Sequence, residues 1–177
     1  DENSVARLSF DSKQHSSFSK LALEGLGHHP DAVVFCASSL DTAVLSQHLK
    51  REKPDLDLYS SEWAISASLV QNGGEFVEGL TFFSVMDHSD DSERYRNFSD
   101  SYRGRFGTVP NLAAMNYYET VRVLSQAFAM DCNVSEPETL VKTIIAMDKF
   151  QGVQRDFRFD SEGDALIPLM KHVIRDG

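Results

Sequence analysis

Two hydrophobic periods alternate along the first half of this chain. SVARLSF (4–10) alternates loosely and predicts a first strand. In SFSKLALEGLG, Phe18, Leu21, Ala22 and Leu26 fall close to i, i+3, i+4 and i+8, one helical face ending at Gly27. DAVVFCA (31–37) is an unbroken, β-branched-rich run, which predicts a strand covered on both faces, with Cys36 a buried small hydrophobe. Residues 42–52 read as a helix through Ala43, Val44, Leu45 and Leu49, with Lys50 and Arg51 at its basic end and Pro54 beyond it. LDLY (56–59) is the next strand, 64–71 a short helix before Gly73-Gly74, and GLTFFSV (79–85) a fourth strand. Strand and helix in alternation predict an α/β fold: a doubly wound parallel sheet with right-handed crossovers.

After Met86 the period changes. Ser92 is placed to cap a helix over 93–104 that carries Tyr95, Phe98, Tyr102 and Phe106 at spacings of three and four. A long helix follows from Leu112 to Met130, with Tyr117 and Tyr118 expected mostly as core aromatics. Ser135 and Glu138 form a capping box for a third helix ending near Met147. The last segment reads as a hairpin turning at Glu162-Gly163-Asp164. These three helices have apolar faces but no strands of their own to cover. They must pack on one another, on the first sheet, or on strands outside the chain, and the third choice suggests the C-terminal portion of a two-lobe protein.

Composition narrows the classes. The chain has 177 residues, 41% apolar and 25% charged, enough for a real core and ordinary for a globular protein. No stretch approaches the roughly 20 apolar residues of a membrane span. A net charge of -10 spread along the chain disfavours nucleic acid and anionic membranes. Cys36 and Cys132 give little reason to expect a disulfide. The start, DENSVARLSF, has neither an initiator Met nor a basic and apolar leader, so the expectation is a removed leader or a piece of something longer.

Five stretches carry a family likeness: PDAVVFCASSLDTAVLSQHLK, LYSSEWA, EFVEGLTFFSV, FSDSYRGRFGTVPNLAAMNYYETVRVLSQAF and FQGVQRDFRFDSEGDALIPLMKHVIRDG. In this order they resemble the type 1 periplasmic solute-binding proteins, the branched-chain amino-acid (Leu/Ile/Val) binding family of ABC transporters. The resemblance implies a type 1 periplasmic-binding-protein lobe that lacks the start of the first lobe. Residues 1–86 would be the second lobe, 87–150 helices returning to the first, and 151–177 a hinge hairpin. It also implies a non-enzymatic protein outside the cytoplasm, periplasmic or membrane-tethered, that needs no cofactor and closes by a hinge on a small amino acid or related solute. Its partner would be an ABC transporter permease or, if the fold serves as a sensor domain, the signalling module of a receptor or histidine kinase. A first lobe or a second copy of the chain, as a homodimer, would cover the orphan helices. Asp156 departs from the pattern, since the family usually shows glycine there, and this leaves the local turn open.

Chemistry concentrates at two predicted strand ends, where ligands bind in open α/β sheets. Ser38, Ser39 and Asp41 follow one; Ser60, Ser61, Glu62 and Trp63, the chain's single tryptophan, follow the other. Both clusters also start helices, where free backbone N–H groups can receive a carboxylate. Ser39 or Asp41 reads equally well as an ordinary N-cap, and Glu62 as a first-turn acid favoured by the helix dipole. The resemblance places Ser38 at a ligand-touching position and Glu62 where a carboxylate accepts the ligand's ammonium group. Trp63 either stacks on a ligand or covers the helix start. Nothing supports an α/β enzyme or a metal centre: adjacent His28 and His29 cannot converge on one ion, and no nucleophile elbow, dinucleotide-binding or phosphate loop is present.

Overall fold

The computed structural model describes residues 5–13, 18–130 and 136–175. They form two compact units, the first of residues 1–84 and 170–177 and the second of residues 85–169.

In the first unit α1 (Phe18–Gly27), β1 (Ala32–Phe35), α2 (Ser39–Glu52), β2 (Asp57–Ser61), α3 (Ala67–Gly73) and β3 (Thr81–Ser84) follow in order, and β6 (Met170–Val173) returns from the chain's end. The sheet order is β1-β2-β3-β6, the first three strands parallel and β6 antiparallel to β3. Strand period two then separates the side chains. Phe35, Leu58, Leu80 and Phe82 are buried and pack with Phe18 and Ala22 of α1, Leu45 and Leu49 of α2, and Leu69 of α3. Fully burying such side chains stabilises by about 1.5–3 kcal/mol each, an upper figure.

On the opposite face of this sheet Thr81 is buried, but two large apolar side chains are not. Val34 is 69% exposed and Phe83 46%, so β1 is not covered on both faces as its unbroken apolar run predicts. The reason is register: β1 is the edge strand, and every helix contributing to the core lies on the side of Phe35. Cys36 follows Phe35, points the other way and is exposed, which corrects its reading as a buried hydrophobe. Cys132 and Ser135 lie outside the described residues. Residues 5–10 are irregular where a strand was expected. Their hydrophobic content is used differently, Phe10 meeting Phe18 edge-on with ring centroids 5.3 Å apart.

The second unit holds α4 (Glu93–Phe106), α5 (Leu112–Met130), α6 (Pro137–Ala146) and a two-stranded sheet of β4 (Phe150–Gln151) and β5 (Asp156–Phe157). Ser92 caps α4 as its position predicts, accepting from Tyr95 N–H, and left-handed Gly107 closes it. Met115, Val123 and Ala127 mark the buried stripe of α5. Tyr117 and Tyr118 lie off that stripe, 76% and 46% exposed, and are not core aromatics. The turn at 160–164 is present: Asp160 Oδ1 accepts from Glu162 and Asp164 N–H at 2.9 Å each. A short antiparallel hairpin surrounds it, Phe159 bridging Ala165 and Leu166 N–H donating to Arg158 O at 2.8 Å; beyond it the arms part, β5 to β4 and β6 to the first sheet.

Candidate functional site

Phe35 sits opposite Ser60 in the parallel register, so the segments after β1 and β2 leave the same sheet edge side by side. The first is a helix start. Ser38, extended at φ -67° and ψ 163°, is the N-cap of α2, a place given beforehand to Ser39 or Asp41. Its hydroxyl accepts from Asp41 N–H and donates to Asp41 Oδ2 at 2.8 Å, while Ser12 donates to the same oxygen at 2.7 Å. Asp41 is 2% exposed and turned inward. It orients Ser38, which is exposed beside Ser39. The N–H groups of Ser39 and Leu40 in the first turn have no acceptor within the helix.

The second segment is a single 3-10 turn, Glu62–Ala64, that follows β2 directly. Ser60 is buried and donates to Ser61 O at 2.8 Å. The Ser61 hydroxyl is buried with no hydrogen-bond partner among the described residues. Glu62 is half-buried and its carbonyl accepts from Ile65 N–H. Trp63 is 87% exposed, so it does not cover the following helix. Ala64, fully buried, anchors the turn; Ile65 packs beside the core and Trp63 faces out. The strand ends thus bring Glu62 and Trp63 of one segment beside Ser38 and Ser39 of the other. No three His, Cys, Asp or Glu residues among those described are grouped to hold a metal ion.

Sequence reasoning missed a second polar cluster, in the second unit. Glu119 lies on α5 between buried Met115 and Val123 and accepts the Val153 N–H at 2.5 Å. Burial raises its carboxyl above the ordinary range, outweighing the Val153 bond and the Arg122 and Arg155 charges. The signal was available: a carboxylate at i+4 from each of two apolar stripe positions. Asp156, the departure from glycine, opens β5 and binds Lys149 Nζ and Arg94 Nη1 at 2.6 Å each. Those bonds from Lys149 and Arg94 hold its carboxyl below the usual aspartate range.

No protein-family model and no curated protein matches the chain. Solved structures do. A leucine-binding protein from Thermotoga maritima matches with a TM-score of 0.77 at 21% identity, over 90% of this chain and 45% of its own. A putative branched-chain amino-acid ABC transporter protein from Rhodospirillum rubrum gives 0.72 at 23%, over 90% and 46%. A solute-binding protein of an R. palustris ABC transporter, in complex with benzoate, gives 0.71 at 14%, over 96% and 46%. This is the type 1 solute-binding-protein fold. The chain spans about half the length of the solute-binding structures it matches. No described helix is long and apolar enough to cross a membrane.

Proposed function

We propose that this chain is the ligand-contacting second lobe and trailing segment of an extracytoplasmic, non-enzymatic solute-binding protein. The carrying observation is the pair of adjacent strand ends that present Glu62 and Trp63 beside the Ser38-capped start of α2. In this reading Glu62 holds the ammonium group of a small amino acid through a charge-assisted hydrogen bond. Ser38, Ser39, Ser61 and the first-turn N–H groups take its polar remainder, and Trp63 covers its apolar part. Asp41 acts only by fixing Ser38. Closure on a first lobe by a hinge then excludes water and strengthens each contact, and the closed form is delivered to a transporter's membrane subunits.

The helices of the second unit support the same reading. Tyr117, Val121 and Phe128 share one face of α5 and are 76%, 62% and 51% exposed. The reading assigns that face to strands of a first lobe, in keeping with matched structures about twice as long.

Thermal unfolding of the longest natural form against a panel of amino acids tests the proposal. A ligand at 100 times its Kd stabilises by about 2.7 kcal/mol. The expected result is a shift with one amino-acid class that is lost in Glu62→Ala. No shift with any amino acid sinks this ligand class. A shift that survives Glu62→Ala removes Glu62 from the site.

A further inference from the structure

The turn between β4 and β5 is held by side chains more than by its own short ladder. Glu119 accepts from Val153 N–H. Arg94 of α4 donates to Gly152 O at 3.0 Å and to Asp156. Gln154 clasps the backbone of Asp87 from both sides, accepting from its N–H at 2.8 Å and donating to its carbonyl at 2.6 Å. Gly152 fits because it has no side chain: a Cβ there would meet Glu119 Oε1 at 2.7 Å. The carboxylate is therefore pressed directly against the turn.

We propose that Glu119 makes this turn proton-linked: residues 151–155 are held more tightly with its carboxyl protonated than ionised, and the Asp87 backbone follows through Gln154. The apolar lining around the carboxyl favours its neutral form. A cavity beside Glu119, with about 10 Å³ open to the centre of a water-sized sphere, is lined by Val85, Met115, Phe157 and Ile167 together with Gln154 and Arg155. Burial among apolar groups disfavours the charged form, and a cavity of that size takes about one water to hydrate it.

On α5 the cation is Arg122, and on the turn it is Arg155; both favour the ionised form and are outweighed by burial. On β5, Asp156 is engaged by Lys149 and by Arg94 of α4. On the segment after Val85, the Asp87 carboxylate accepts from Ser89. Protonation puts the hydrogen on one oxygen while the other still accepts from Val153. A carboxyl whose folded value is raised adds stability that is present below the ordinary glutamate range and lost as pH rises through the raised value.

The test is amide hydrogen exchange at Val153 and Asp87 by NMR, corrected for intrinsic rates, from about pH 4.5 to about 8. Wild-type protection should fall several-fold with rising pH at both amides, whereas Glu119→Gln should hold it flat and Asp156→Asn should leave the wild-type slope. Constant or rising protection in the wild type, or an unchanged slope in Glu119→Gln, overturns the proposal. The Glu119 carboxyl carbon shift gives a second readout that needs no variant. A midpoint above that of the exposed glutamates is expected, and one among them overturns it.

Discussion

At the scale of single residues, Asp41 and Asp156 show how a carboxylate's surroundings decide its use. Asp41 is closed in by two serine hydroxyls and serves the start of α2. Asp41→Ala should strip Ser38 of its orienting partner and leave the Ser12 hydroxyl unpaired, destabilising by about 1–3 kcal/mol in urea unfolding. Asp156 instead reaches two long cations from a half-exposed position, and such pairs are worth little. Its lowered carboxyl contributes stability that is present above the ordinary aspartate range and lost as pH falls through its own value. Asp156→Asn should therefore lower neutral stability slightly and flatten the acid limb of a stability–pH curve, so that variant and wild type converge at low pH. The two strand-end clusters were legible residue by residue, because serine, acid and tryptophan interrupt apolar runs there. The inward turn of Asp41 was not legible, since it depends on Ser12, 29 positions away.

At the scale of elements, what could be read depended on how far each pattern runs. α5 begins and ends where its periodicity says, because 19 residues repeat one stripe. Residues 5–10 carry only a few alternating positions, and a strand exists only where a neighbour supplies its hydrogen bonds. None among the described residues does so. β1 makes the same point from the other side: its four residues announce a strand but not which face is covered. Phe35→Ala should cost about 3–5 kcal/mol, because Phe35 is 5% exposed in the core. Val34→Thr, one residue earlier on the opposite face, should stay within about 0.5 kcal/mol. Equal costs at the two positions would mean that Val34 is covered in solution, and the comparison needs only denaturant curves.

At the scale of the whole molecule, the alternation of strand and helix disclosed the fold class. The division into units was harder to read, because one of them is discontinuous in sequence. β6 pairs Val173 with Thr81 and Met170 with Ser84, and Ile174 exchanges two further backbone bonds at 3.0 Å with Gly79 and Leu80. Removing residues 170–177 should therefore expose the edge of β3 and lower the hydrogen-exchange protection of Leu80–Ser84. Undiminished protection there would show that β6 is dispensable to the sheet.

The same pairing sets an order of events during synthesis. β1, β2 and β3 leave the ribosome well before β6, the strand that pairs with the edge of β3. Bringing Val173 back to Thr81 closes a loop long enough to cost about 4 kcal/mol in chain entropy. Until then the nascent chain carries an unfinished sheet whose β3 edge is bare, the kind of edge that recruits strands from other chains. The interval between Ser84 and Met170 is therefore the stretch of synthesis in which this edge waits for its own strand.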